Sequence, residues 1–103
     1  MKPPQRSEEE RAAALAKAAE ARRVRAEIKQ LLKTGSITFR ELLDRAESDP
    51  LIGGIKVASV LTSMPGLGKV KAKRLMEEHG IAENRRLRGL GERQRAALLE
   101  EFS

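Results

Sequence analysis

The sequence has no cysteine, no tryptophan and no tyrosine, and its one histidine is His79. Without cysteine there is no disulfide framework and no thiolate metal site, and one imidazole cannot hold a zinc ion alone. The remaining rings are Phe39 and Phe102. RNA-recognition and cold-shock folds stack bases on exposed aromatic side chains, so that mode of recognition lacks its material here. Apolar runs are short, and none approaches the ~20 residues that cross a bilayer. The first residues carry no apolar stretch of the signal-peptide kind. The expectation is a cytoplasmic protein with no membrane partner. No stretch alternates apolar and polar residues with β-branched content, so no strand is expected. No nucleophile stands with a base and an orienting group, and the carboxylates are interleaved with bases as on solvated helix faces. Neither an enzyme nor a bound cofactor or metal is expected. His79, just ahead of Gly80, suits the capping of a helix end rather than chemistry.

What the chain does have is positive charge. Its 103 residues carry 21 Lys and Arg against 15 Asp and Glu, a formal net charge of +6. Ten basic and four acidic residues fall between Lys56 and Arg95, so this stretch alone holds an excess of six and the rest of the chain sums to zero. A small basic domain expects a polyanionic partner, and this segment is where its contact surface should lie.

The organisation reads as all-α. Pro3 and Pro4 oppose helix, so residues 1–7 are expected to form a disordered tail ending at the helix-opening Ser7. Ser7 and Glu10 have the spacing of a capping box, and Glu8 to Glu10 suit the positive end of a helix dipole. No Gly or Pro follows until Gly35, which predicts a long helix over residues 8–34 with Gly35 as its terminator. Its second half has an apolar stripe at Ala21, Val24, Ile28, Leu31 and Leu32; its first half offers alanines and Leu15, and should project from the body. Residues 35–103 then form a helical domain. Thr38 and Glu41 make a second capping box before "FRELLDRAES", and Asp49-Pro50 ends that helix. Leu51 to Ile55 reads as a connector. Val57, Val60, Leu61 and Met64 fall on one helical face, closed by Pro65. Gly68 to His79 is a further helix with Val70, Ala72, Leu75 and Met76 apolar, and Glu92 to Phe102 a last one burying Ala96, Leu98, Leu99 and Phe102.

Within the basic stretch, Met64 to Ala72 reads "MPGLGKVKA". Two glycines two apart, followed by lysine, suit a backbone shaped around phosphate. A nucleotide-binding P-loop would need Gly at Ser63 and Ser or Thr at Val70, and a dinucleotide fold would need Gly at Lys71; neither has the strand it requires. The phosphate is therefore that of a nucleic acid. Pro65 and Gly66 make a turn, Leu67 points into the helix pair, and Gly68 and Lys69 open the next helix, whose first amides have no intrahelical acceptor. Asp at position 68 would be expected to fold normally, as acids are favoured at helix starts. Lys69, Val70, Lys71 and Arg74 surround the loop. Such a device grips backbone and reads no base edge.

The pattern Leu61, Met64-Pro65-Gly66-Leu67-Gly68, Ala72 and Leu75 resembles the helix–hairpin–helix family. The longer run "GLGKVKAKRLMEEHGIAENRRLRGLGERQRAALLEEF" is similar to the helix–two-turn–helix domain of a ribosomal small-subunit protein and of formamidopyrimidine-DNA glycosylases, without their catalytic terminal proline or cysteines. Residues 8 to 102 together resemble the actinobacterial integration host factor family, and "RRLRGLGERQRAALLE" is the most specific part. That resemblance implies a nucleoid-associated protein that binds duplex DNA with little sequence preference, bends and compacts it, and assists site-specific integration. It implies a second contact at the two-turn segment, through Arg85, Arg86, Arg88, Gly89 and Leu90 with Arg93 just beyond. It also implies a monomer whose further partners are an integrase or a topoisomerase on DNA. Because two glycines accompany the arginines, the segment is expected to be flexible and to close on DNA as a second grip. A second reading, an RNA-binding or ribosome-associated helical protein, follows from the ribosomal relatives of the domain.

Overall fold

The computed structural model describes residues 7–102, so the expected N-terminal tail lies outside the described residues except for Ser7. Six α-helices follow in order: α1 Glu8–Lys33, α2 Phe39–Ser48, α3 Pro50–Gly53, α4 Val57–Ser63, α5 Gly68–Glu78 and α6 Glu92–Glu101. A single 3-10 turn, Leu87–Gly89, stands between α5 and α6. The described residues hold no strand, only an isolated antiparallel bridge between Lys56 and Arg86. The fold is all-α, as the absence of alternating segments implied.

The helix boundaries follow from local chemistry. Ser7 Oγ accepts the Glu10 N–H at 3.1 Å, one arm of the expected box. The α2 box is complete: Thr38 Oγ1 accepts the Glu41 N–H at 3.1 Å, and Glu41 Oε1 accepts the Thr38 N–H at 3.1 Å. At the end of α1, Gly35 takes φ +71°, and the amides of Gly35 and Ser36 turn back to Leu32 O and Leu31 O at 3.1 and 2.9 Å. This double bond satisfies carbonyls that the helix cannot, and needs a left-handed residue. The segment expected as a connector is instead helix α3. Asp49 Oδ1 accepts the Leu51 N–H at 2.9 Å and Pro50 fills the first helical position, so an N-cap and a proline nucleate one turn.

The core gathers from every helix. Ile28 and Leu32 of α1, Phe39, Leu42, Leu43 and Ala46 of α2, Val57, Val60 and Leu61 of α4, Ala72, Leu75 and Met76 of α5, and Leu98 of α6 are all buried. Ala96 is exposed, contrary to expectation, and Leu98 is the fully buried residue of α6. Phe39 and Phe102 stack tilted with centroids 5.2 Å apart, tying the end of α6 to the start of α2. Leu15 is 68% exposed and of the first thirteen residues of α1 only Ala14 is half-buried, so that half of the helix extends from the body. The long dimension of the molecule is 55 Å against 28 and 25 Å.

Candidate nucleic-acid interface

The α4–α5 corner carries two left-handed glycines, Gly66 at φ +77° and Gly68 at φ +73°. Gly68 was expected to be an ordinary first helical residue; its φ places it outside helical geometry, so the regular backbone of α5 starts at Lys69. A side chain at either glycine would meet nothing within 4 Å, so the requirement is conformational and the space before the loop is open. Between them Leu67 is half-buried against the core and its N–H bonds Met64 O at 3.3 Å, which folds the turn inward as expected. At the starts of α1 and α2 a cap hydroxyl accepts the third helical amide, Ser7 Oγ that of Glu10 and Thr38 Oγ1 that of Glu41. The hairpin differs: the N–H groups of Gly66, Gly68, Lys69 and Val70 find no acceptor among the described residues. They form a row of donors at the positive end of α5. Pro65, Lys69, Lys71 and Arg74 are all exposed. Val70 is 73% exposed, not core: it lies off the face made by Ala72, Leu75 and Met76.

The two-turn segment is fastened rather than loose. Val57 N–H donates to Arg85 O at 2.9 Å, and Leu87 N–H donates to Ile55 O at 3.0 Å. The Arg86 guanidinium donates to Gly54 O, and Arg85 Nη1 donates to Gly89 O at 2.8 Å. Leu87 is buried and Leu90 half-buried. Arg88 packs its Cβ against Gly53, where an added methyl would sit 2.8 Å from Ala46 O and 3.3 Å from Arg88 Cβ. The expectation of a flexible grip that closes on its ligand is therefore corrected: backbone pairing, a buried leucine and two arginine hydrogen bonds hold Arg85 to Leu90 in place. The charged ends of Arg85, Arg86, Arg88 and Arg93 remain exposed. Arg95 is instead committed to Glu47, 2.6 Å away.

Gln94 locks the neighbouring helix ends. Its Oε1 accepts the Gly91 N–H at 3.1 Å while its Nε2 donates to the carbonyls of Gly80 and His79 at 3.1 and 3.3 Å. His79 is the C-cap residue of α5, as expected, its N–H donating to Leu75 O at 3.2 Å, and the Gln94 amide from α6 adds a cap on the carbonyls that follow.

One groove, of about 500 Å³, runs between α4 and α5, with Lys56, Lys69 and Lys73 on its rim and Met76 and Ile81 in its floor. Lys56 pairs by backbone with Arg86, so the hairpin and the two-turn segment share a basic margin, which Glu77 and Glu83 of the same groove offset in part. Lys56 and Lys73 were legible only as part of the charge excess; no motif singled them out.

Residues 32–102 match the S13-like H2TH domain family. The match starts within α1, at Leu32, and takes in the hairpin, the two-turn segment and α6. Over almost the whole chain the similarity is closer still. The integration host factor of Mycolicibacterium smegmatis is 54% identical over 99 residues, 96% of this chain and 94% of that protein. That of Mycobacterium tuberculosis is 56% identical over the same shares, and that of Streptomyces coelicolor 51% identical over 91% of this chain and 88% of its own. This chain belongs to the integration host factor family. A solved structure of sIHF bound to an 8-base-pair palindromic DNA superposes with a TM-score of 0.82 at 48% identity, covering 85% of this chain and 99% of that one. The similarity to these relatives extends over α1, which the H2TH domain match by itself leaves largely uncovered.

Proposed function

We propose that the protein binds the phosphate backbone of duplex DNA with little sequence preference, bends and compacts it, assists site-specific integration, and resides on the nucleoid without catalysing a reaction. One observation carries this reading: four backbone amides in the Gly66–Val70 hairpin have no acceptor among the described residues, flanked by Lys69, Lys71 and Arg74. Amides and lysines recognise phosphate oxygens and are blind to base identity. No exposed helix among the described residues offers a cluster of Asn or Gln to adenine edges, and Gln94 is used within the fold. The family relative solved with a palindromic DNA favours duplex DNA over RNA as the polyanion. An integrase or a topoisomerase acting on the same DNA would be a further partner.

The test is binding to unrelated DNA duplexes and to one RNA duplex across a salt series. With about six phosphates neutralised, log K should fall against log salt with a slope of roughly −5 to −6. DNA sequences should differ by less than ~10³, the lower end of what specific regulators achieve, and RNA should bind more weakly. Equal or tighter binding to RNA, or a flat salt dependence, would overturn the reading.

A further inference from the structure

Arg22 and Arg25 of α1 lie one helical turn apart on the same side of the helix. Neither has a carboxylate three or four residues away in either direction. Arg23, between them, does: it pairs with Glu27 at 3.9 Å. The two unmatched arginines face a groove of about 290 Å³ between α1 and the α3 region, lined by Ala18 and Ala21 on the helix side and by Gly54 and Arg86 opposite. Arg86 reaches into this groove from the two-turn segment and is held there by its bond to the Gly54 carbonyl. No acidic side chain lines the groove, and none of the three guanidinium groups forms an ion pair among the described residues. Three like charges thus converge from two elements separated by about sixty positions in sequence, with small alanines leaving the approach clear. Such an arrangement is repulsive alone and is relieved by an anion.

The groove also continues the basic margin described above. Lys69 and Lys56 rim the α4–α5 groove, Lys56 is bridged to Arg86, and Arg86 opens the second groove towards Arg25 and Arg22. We infer that α1 is part of the DNA-binding surface: Arg22 and Arg25, with Arg86, hold a backbone phosphate further along the duplex than those gripped by the hairpin. The inference rests on the duplex-DNA reading and extends it to a helix that composition had marked only as a projecting element. Its consequence is mechanical. A contact on the long helix gives the duplex a second fixed point on a different element, and so constrains its path across the molecule.

The experiment compares wild type with Arg22→Ala plus Arg25→Ala, with Arg22→Lys plus Arg25→Lys, and with Gly68→Asp, on a duplex of about 20 base pairs, two helical turns. Alanine is the best helix former, so the first variant should keep its helix content by circular dichroism. It should bind roughly tenfold more weakly near 0.1 M salt, and its salt slope should become shallower by about one, because a lost phosphate contact removes ~0.9 from the slope. The lysine variant should restore the slope. A wild-type slope in the alanine variant, whether or not its affinity falls, places these arginines off the DNA path and overturns the inference. If Gly68→Asp loses binding in that same series, the hairpin reading stands without it; if both variants bind as wild type, the hairpin reading falls as well.

Discussion

Gly68 decides whether the α4–α5 corner is a phosphate site or only a turn. Helix-start preferences alone make aspartate harmless there, but φ +73° changes the comparison. Any side chain at this position enters the left-handed region, at a cost of about 1–2 kcal/mol, and Asn and Asp tolerate it best. Neither would clash, since a Cβ has no neighbour within 4 Å. Gly68→Asn and Gly68→Asp therefore share the strain and differ in charge. The two should melt within a degree or two of each other, both a few degrees below wild type. Asn should keep most of the DNA affinity, while Asp, placing a carboxylate before the free amides of Lys69 and Val70, should lose about tenfold or more through repulsion of phosphate. Equal affinities for the two variants would leave the corner a turn and nothing else.

At the scale of elements, the junctions carry information that the helices do not. The Gln94 amide joins the end of α5 to the start of α6 with three hydrogen bonds. Gln94→Ala removes them and should cost about 1–3 kcal/mol at ~1 kcal/mol each, or roughly 4–8 °C of melting temperature per kcal/mol in a domain of this size. DNA affinity measured well below the melting point should stay within about twofold, because no phosphate contact is lost; a large loss with little destabilisation would mean that Gln94 faces DNA. Junctions of this kind were the least legible part of the chain. Capping pairs such as Thr38 and Glu41, and terminators such as Gly35 and Gly80, are local in sequence and announce themselves. The hairpin was equally readable, since glycine spacing and the following lysines are contiguous. Asp49-Pro50 did carry a start signal for α3, but the Gly53-Gly54 pair behind it reads as loop. Val70 is apolar like the core positions of α5, although the helical period already sets it off the face of Ala72, Leu75 and Met76. The clamp of the two-turn segment onto Ile55 to Val57 pairs residues some thirty positions apart. Nothing in "RRLRGLG" foretells that partner, and its glycines suggest the opposite.

That clamp sets how the whole molecule can act on a duplex. A pair of independent grips would follow DNA of any curvature, and would let it relax as the ionic contacts weaken. Here the hairpin, Lys56 and the two-turn arginines belong to one body, cross-linked by the Val57–Arg85 and Leu87–Ile55 hydrogen bonds and by Leu87 in the core. A duplex that touches all of them must take the curvature of the protein's surface, and the deformation, of order 1–6 kcal/mol for a bend of 40–90°, has to be offset by phosphate contacts. The proposed bending should then be a fixed property of the bound state. Salt should change how much DNA is bound but not its shape once bound. Between 50 and 200 mM salt the affinity should fall by about 10³. End-to-end energy transfer on a short labelled duplex, read at saturating protein in each salt, should stay constant. Arg86→Ala removes the side-chain bond to Gly54 and one charge of the margin, so it should lower both the melting temperature and the energy transfer at saturation. A bend that relaxes smoothly with salt in the wild type would show that the contacts move independently, and that the fastened two-turn segment does not dictate the path of the DNA.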